Sequence, residues 1–131
     1  MKALSILQPG GSRIATGEKT IEVRGWIPDL ADGEDLLIVE SHQALTEEGD
    51  TDLNGRIVAV VKIKAVRPFT TCDMARACAL VYEDGKFAWE LTDVRPVRPP
   101  YGPVLAARGI YELDISLDEL FHGETEIRRS A

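Results

Sequence analysis

Four side chains suited to ligand binding or acid–base chemistry lie close together in the chain: Lys19, Glu22, Arg24 and Trp26. Gly17 suits the left-handed position that ends a helix, and the residues after it alternate like a short strand. Ile21 and Val23 would then face a core, while Glu22 and Arg24 would share the opposite face. Such a cluster can form a polar pocket, or it can form an ordinary strand edge with an ion pair. The spacing leaves both interpretations open.

Two further polar residues are predicted at the ends of strands. Gln8 follows the first apolar strand, where its amide can hydrogen-bond the edge of a base or cap the next helix. Ser41 ends the apolar run 36–41, a place where a buried strand emerges and where sites tend to lie. Both residues are therefore candidates for ligand contact.

The cysteines and histidines do not form a metal-binding pattern. Cys72 and Cys78 have no histidine near them in sequence, and His42 and His122 lie far apart. These spacings match no zinc motif, and nothing indicates a secretory context for a disulfide. We expect neither a metal nor a cofactor.

Charge is unevenly distributed along the chain. The net charge of −7 argues against tight, sequence-independent binding to a long phosphate backbone. Residues 29–52 carry nine acidic side chains and no Lys or Arg, whereas residues 55–68 carry four basic side chains and no acid. If residues 1–26 and 55–68 are neighbours, they form a local basic face suited to one nucleotide or a short single strand. The acidic segment 29–52 offers an alternative, a surface that binds a basic protein partner.

The length of 131 residues predicts one domain, residues 1–131, with a tail that frays from about residue 123. No apolar run approaches the roughly 20 residues of a membrane helix, so we expect no membrane association. The first residues show no apolar signal-peptide segment, and the expected compartment is the cytoplasm. The sequence leaves the oligomeric state open.

Periodicity and turn residues predict the element order β-α-β-β-β-α-β-β-α. The predicted strands are residues 3–7, 19–24, 36–41, 56–66, 87–97 and 109–115. The predicted helices are residues 12–16, about 71–80 and 116–122. Asn54-Gly55 is predicted to be a turn, and the prolines between 96 and 103 predict an extended loop. The fold class is therefore α+β, a small, mixed and mostly antiparallel β-barrel with two or three short helices.

Five segments of the chain, in the same order, resemble ASCH domains: residues 4–9, 17–26, 36–41, 87–97 and 109–113. The most specific element is Gly-x-Lys-x-x-Glu-x-Arg-x-Trp in the second segment. ASCH domains are small β-barrels of the PUA-like superfamily. The resemblance implies a cleft between the first helix and the barrel that suits RNA or a modified nucleoside.

The resemblance also implies candidate roles for individual residues. Some ASCH proteins are RNA-binding modules, some small bacterial members are ribonucleases, and others are amidohydrolases that deacetylate N4-acetylcytidine. The amidohydrolase lysine matches Lys19, but Glu22 stands in place of its threonine. Its acid lies on the later helix, where no residue aligns securely and Glu83 is a weak candidate. Gly10 stands where many members carry an aromatic residue, so Trp26 would have to supply base stacking.

Three functions are compatible with these residues. The leading hypothesis is an RNA- or nucleotide-binding domain whose cleft is lined by Lys19, Glu22 and Arg24, with Gln8, Trp26 and Ser41 as further contacts. The first alternative is a hydrolase, either a ribonuclease or an amidohydrolase, with Lys19 and Glu22 as catalytic residues. A serine or tyrosine beside Lys19 would favour the ribonuclease, and an apolar acyl slot the amidohydrolase. The second alternative is a protein-interaction domain that uses segment 29–52.

Overall fold

The computed structural model describes residues 1–121, which form one six-stranded sheet with three short helices. The strands are β1 (Lys2–Leu7), β2 (Ile21–Arg24), β3 (Leu36–Ser41), β4 (Thr51–Pro68), β5 (Phe87–Ala107) and β6 (Ile110–Glu112). The helices are α1 (Gly10–Thr16), α2 (Met74–Ala77, after a 3-10 turn at Thr71–Asp73) and α3 (residues 117–121). The predicted α+β class is confirmed. His122 and the predicted fraying tail from about 123 lie outside the described residues.

The strands follow the order β2-β5-β4-β3-β1-β6 across the sheet. β1 and β3 are parallel, and the other neighbouring pairs are antiparallel. A mixed, mostly antiparallel sheet was predicted and is confirmed. Within residues 1–121 the edge strands β2 and β6 do not pair with each other, so the described sheet is open. The closed barrel that the sequence predicted is therefore not confirmed.

The central strand β3 is buried on both faces, as its continuous apolar run predicted. Leu36 and Ile38 belong to the core cluster that α1 covers, together with Ile14. Leu37 and Val39 belong to a second cluster on the other face of the sheet. The cleft described below opens at the carboxyl end of this strand.

The short helix α1 begins with two glycines because it packs closely against the sheet. A Cβ on Gly10 would lie 2.7 Å from Cγ2 of Ile6, and one on Gly11 would lie 3.0 Å from Cβ of Glu40. The Glu40 carboxylate accepts hydrogen bonds from the Ser12 backbone N–H at 2.6 Å and from the Ser12 hydroxyl at 2.8 Å. Gly17 ends the helix with φ of 85°, the left-handed conformation that the sequence predicted. A larger side chain at Gly10 would therefore press on the Ile6 side chain.

Two predictions about turns and loops were wrong, and both concern the long β4–β5 ladder. Gly55 lies inside β4 rather than in a turn. Glycine at this position lets the two strands approach closely, since a Cβ would lie 2.7 Å from the Val104 carbonyl oxygen on β5. The prolines between 96 and 103 lie inside β5 rather than in a loop. The β4–β5 register shifts on both sides of Ile57, so that β5 contains extra residues there. Proline lacks an N–H and is tolerated at such irregular positions of a ladder.

The predicted helix 71–80 is shorter than expected. Thr70 and Asp73 form a capping box at its start, but α2 ends at Ala77. Cys78 follows in the left-handed conformation, with φ of 53°. Ending the helix at this point directs the Ala77 carbonyl toward the residues that precede β2.

Candidate functional site

Glu22 is the centre of a buried charge cluster on β2. The predicted alternation is confirmed, since Ile21 and Val23 pack in the core cluster that also contains Ala77. On the opposite face, Glu22 Oε2 accepts a hydrogen bond from Arg24 Nε at 2.9 Å and forms an ion pair with Arg24 Nη2 at 2.8 Å. The Glu22 side chain is only 7% exposed. Glu22 therefore holds the Arg24 guanidinium in one orientation.

Lys19 pairs with the other oxygen of this carboxylate. Its Nζ lies 3.3 Å from Glu22 Oε1 and donates a hydrogen bond to the Ala77 carbonyl oxygen at 2.6 Å. The Lys19 side chain is 10% exposed. Lys19 thus joins the start of β2 to the end of α2, and it is not among the residues that line the cleft described next.

A cleft of about 510 Å³ opens at the carboxyl ends of the parallel strands β1 and β3. It is lined by Ser5, Leu7, Arg24, Trp26, Ser41, Ala44, Leu45, Thr46, Ala107, Arg108 and Gly109. These residues come from the strand ends, from the loop after β3 and from the turn between β5 and β6. No residue of α1 lines this cleft, so its position differs from that of the cleft between the first helix and the sheet that the resemblance implies.

Within the described part of the chain, Arg24 and Arg108 are the charged side chains in this lining. Arg24 Nη2 also donates to the Ser5 backbone carbonyl at 3.0 Å, and within residues 1–121 its Nη1 has no hydrogen-bond partner. Arg108 is exposed, and no carboxylate among the described residues forms an ion pair with it. The cleft therefore presents one fixed and one exposed guanidinium.

Trp26 contributes an aromatic surface to the cleft. Its ring meets the ring of Trp89 edge to face, with centroids 5.0 Å apart and planes at 80°. Trp89 is fully buried, and its Nε1 donates to the Trp26 carbonyl oxygen at 3.3 Å. Trp26 is 36% exposed, so it packs on the core while part of its indole lines the cleft. Packing of this kind contributes about 0.5–1.5 kcal/mol beyond area burial and fixes the ring.

A chain of hydrogen bonds runs behind the cleft through Ser5 and Tyr111. The Ala107 backbone N–H donates to Ser5 Oγ at 3.1 Å, and the Tyr111 hydroxyl donates to the Leu105 carbonyl at 2.9 Å. The Ser5 hydroxyl therefore donates to Tyr111 Oη, 2.8 Å away. Burial raises the pKa of the Tyr111 phenol, which keeps it neutral and able to donate. This network ties β1 to the end of β5.

The structure brings three of the predicted site residues to the cleft: Arg24, Trp26 and Ser41. Lys19 and Glu22 lie behind it. Gln8 has an exposed side chain next to the cleft, and its backbone N–H donates to the Ser41 carbonyl oxygen at 2.9 Å. Glu83 does not line the cleft and forms a surface ion pair with Lys86.

Sequence reasoning missed Ser5, Arg108 and the wall formed by residues 44–46. Ser5 could have been found, because the predicted alternation places it on the same face as Leu7 at the end of β1. Arg108 gave no comparable signal. It reaches the cleft only because β5 continues past its prolines to Ala107, beyond the predicted strand end.

Many of the charges in the acidic segment 29–52 have partners within the protein. Lys2 pairs with Glu34, and Lys62 and Arg95 both pair with Asp35. Three further carboxylates accept hydrogen bonds from nearby N–H or hydroxyl groups: Glu40, Asp50 and Asp52. Five of the nine acids are thus engaged, and part of the predicted basic face is neutralised by these same contacts.

Residues 1–121 contain no group of three or more His, Cys, Asp or Glu side chains arranged to hold a metal ion. No helix in the described part of the chain is long and apolar enough to cross a membrane.

Comparison with known proteins identifies the family. The family model described as ASCH domain matches residues 4–101, and the chain belongs to this family. ASCH domains have a PUA-like fold and are generally linked to RNA binding. The search of curated protein sequences gave no significant match.

Solved structures of an ASCH protein from Zymomonas mobilis have the same fold. A serine-to-alanine mutant of that protein is 16% identical, with a TM-score of 0.58, and the match covers 96% of this chain and 94% of the other. The protein without a named mutation is 20% identical, with a TM-score of 0.55, and the match covers 99% of this chain and 80% of the other. A tyrosine-to-phenylalanine mutant is likewise 20% identical with a TM-score of 0.55, and the match covers 99% and 82% of the two chains.

Proposed function

We propose that the cleft at the ends of β1 and β3 binds single-stranded RNA or a nucleotide. The observation that carries this proposal is the charge of the lining. In a chain of net charge −7, the two charged residues that line the cleft within residues 1–121, Arg24 and Arg108, are both arginines. A guanidinium offers several N–H donors in a planar fork that matches phosphate oxygens.

Each part of a nucleotide has a suitable partner in the cleft. The phosphate would contact the guanidinium groups of Arg24 and Arg108, and the base would stack on the exposed part of Trp26. Ser41 lines the cleft and is only 2% exposed, and within residues 1–121 its hydroxyl makes no hydrogen bond, so it would face the ligand through a narrow opening. Lys19 and Glu22, which the sequence suggested as catalytic, act in this proposal as positioning residues for Arg24.

The lining favours binding over catalysis. Proton transfer near neutral pH is usually carried by His, Asp, Glu, Lys, Tyr or Cys, and among residues 1–121 none of these residue types lines the cleft. A guanidinium keeps its proton throughout the physiological pH range. Lys19 and Glu22 are paired with each other behind the cleft. The amidohydrolase alternative, which needs both of them at the substrate, is therefore less well supported.

A ribonuclease is the second candidate function, and one observation favours it. A serine and a tyrosine, Ser5 and Tyr111, are hydrogen-bonded to each other beside Arg24 rather than beside Lys19. An RNA strand lying on Arg24 would pass close to the Ser5 hydroxyl. The same assay that measures binding would reveal this activity as shortened RNA products.

The test is a titration of purified protein with a labelled single-stranded RNA of about ten nucleotides at low salt. Arg24→Ala and Arg24→Lys are measured beside the wild type, with Arg13→Ala as the matched control. Arg13 is exposed and forms only a 3.8 Å pair with Glu18. Loss of hydrogen bonds to a charged group costs about 1.5–3 kcal/mol, which is roughly a ten- to hundredfold loss of affinity.

The two Arg24 variants should show this loss, and Arg13→Ala should bind within about twofold of the wild type. Thermal unfolding of each variant identifies any variant that is misfolded. Duplex RNA, mononucleotides, cytidine and N4-acetylcytidine complete the panel. If the folded wild type bound no member of the panel, the proposed function would be wrong.

A further inference from the structure

One wall of the cleft is fastened by a buried carboxylate that does not itself line the cleft. Asp52 is only 5% exposed. Its Oδ2 accepts hydrogen bonds from the backbone N–H groups of His42 at 2.8 Å and Gln43 at 3.2 Å. Its Oδ1 accepts a third from the Asn54 N–H at 2.8 Å. Three backbone donors therefore converge on one side chain.

The loop between these donors forms the wall, residues 44–46. At its far end, Asp50 Oδ2 accepts from the backbone N–H groups of Thr46 at 3.1 Å and Glu47 at 3.0 Å. Leu45 is the one partly buried apolar side chain of the wall that packs against the core. The loop thus relies mainly on hydrogen bonds from its backbone to carboxylates, because little of its surface is buried.

The backbone of Asp52 is paired with a strand that also reaches the cleft. In the β4–β5 ladder, Thr51 is the partner of Ala107 and Asp52 is the partner of Ala106. Ala107 lines the cleft next to Arg108. The side chain of Asp52 therefore bonds the start of the loop that contains residues 44–46, while its strand position pairs it with the residue before Ala107.

We propose that Asp52 is a positioning residue that holds residues 42–46 in the conformation forming the cleft. Its effect on ligand affinity rests on the proposed function, whereas its effect on the conformation of the loop does not. Asp52→Asn is the informative substitution, because asparagine keeps the shape of the side chain and loses one acceptor oxygen. At least one of the three backbone donors is then left facing an NH₂ group.

The first measurement is amide hydrogen exchange by NMR on the wild type. The amides of His42, Gln43 and Asn54 should exchange at least tenfold more slowly than that of Glu48, which is exposed in the same loop. In Asp52→Asn, one or more of these three amides should exchange at least tenfold faster, while the amides of β3 stay unchanged. Glu48→Gln removes the same charge from the same loop and should change none of them.

The second measurement is the affinity of the same variants for the ten-nucleotide RNA. Asp52→Asn should weaken binding at least fivefold, and Glu48→Gln should stay within twofold. Fast exchange of the three amides in the wild type would overturn the proposal, and so would faster exchange in Asp52→Asn without any loss of RNA affinity. A wild type that binds no RNA would refute the proposed function alone, and the exchange rates would still decide the role of Asp52 in the loop.

Discussion

The carboxylate of Glu22 divides its two oxygens between Lys19 and Arg24, and each cation has a further backbone partner. Lys19 donates to Ala77 and Arg24 donates to Ser5. One carboxylate therefore links α2, β2 and β1. Buried ion pairs of this kind add little net stability, but removing one member leaves an uncompensated charge. Their value here is the fixed direction of the Arg24 guanidinium.

The substitution Glu22→Gln should destabilise the fold by about 3 kcal/mol. This figure is at the lower end of the range for breaking a buried pair, because Arg24 is partly exposed to water. Urea unfolding followed by tryptophan fluorescence measures the change. Glu18→Gln, which removes an exposed carboxylate near Arg13, serves as the control and should cost less than about 0.5 kcal/mol. A loss below about 1 kcal/mol in Glu22→Gln would contradict the positioning role.

A second buried carboxylate should make stability depend on pH. Two hydrogen bonds from Arg67, at 2.7 and 2.8 Å, hold the pKa of Asp73 well below its ordinary value of 3.8. The folded carboxylate then stays ionised at a pH where the unfolded one takes up a proton. Its contribution is complete above pH 3.8 and is lost as the pH falls below that value.

The substitution Asp73→Asn should therefore cost about 1.5–3 kcal/mol at neutral pH. The difference from the wild type should shrink as the pH is lowered from about 4 to about 2, because the wild type loses its advantage there. Denaturant unfolding at several pH values measures both quantities. Asp114→Asn, at an exposed position, should follow the wild type throughout. A difference that stays constant down to about pH 2 would show that Asp73 acts by shape and not by charge.

The residue pattern predicted which side chains share a face of β2, but not how deep each one lies. Alternation is a local property, so the sequence alone could predict that Glu22 and Arg24 share a face and form a pair. The burial of Lys19 depends on Ala77, which is 58 positions away, and on where α2 ends. The cleft residue Arg108 depends in turn on the full length of β5. Contacts between residues so far apart in the chain are set by the tertiary structure and leave no local pattern in the sequence.

At the scale of elements, the β4–β5 ladder accounts for the largest difference between the predicted and the observed structure. Glycine and proline usually interrupt strands, so the sequence predicts a turn at Gly55 and a loop at the prolines of β5. In the structure these residues allow the ladder to continue. Gly55 and Gly102 approach so closely that a Cβ on either would lie 2.7 Å from a backbone oxygen of the other strand. The glycines permit close approach, and the shifted register accommodates the prolines.

The substitution Gly55→Ala should destabilise the protein by about 1–3 kcal/mol, because its methyl group would press on the backbone of β5. Gly25→Ala is the matched control. A Cβ at Gly25 would lie 3.5 Å from Lys86 Nζ, an ordinary contact with a flexible side chain. This control should be neutral or slightly stabilising. Thermal unfolding of the two variants measures the comparison, and equal melting temperatures would show that the ladder can relax around an added methyl group.

At the scale of the whole molecule, the two oppositely charged regions found in the sequence partly neutralise each other. Lys2 pairs with Glu34 and Lys62 with Asp35. The sequence correctly showed that charge is unevenly distributed, but it could not show that segments of opposite sign would be neighbours. The acidic surface available to a basic partner is smaller than the nine acids of segment 29–52 suggested. The guanidinium groups of the cleft therefore become the more specific electrostatic feature.

The number of phosphates bound can be read from the salt dependence of affinity. Single-stranded nucleic acid shows a slope of log K against log salt of roughly −0.7 per phosphate contacted. Two contacts, through Arg24 and Arg108, give a slope of about −1.4, or about a sevenfold loss of affinity between about 50 and about 200 mM salt. Arg108→Ala should halve the slope to about −0.7 while leaving the fold intact, since this side chain is exposed.

Titrations of the ten-nucleotide RNA at four salt concentrations measure the slope for the wild type and for Arg108→Ala. A slope steeper than about −3 would mean that the strand follows a basic surface beyond the cleft, and the exposed Arg56 and Lys64 would then be the next residues to replace. A slope near zero with intact binding would mean that the ligand is recognised through its base and sugar, with Trp26 and Ser41 as the main contacts. The intermediate slope is expected because the net charge of −7 repels a long phosphate backbone while the two arginines attract its nearest phosphates.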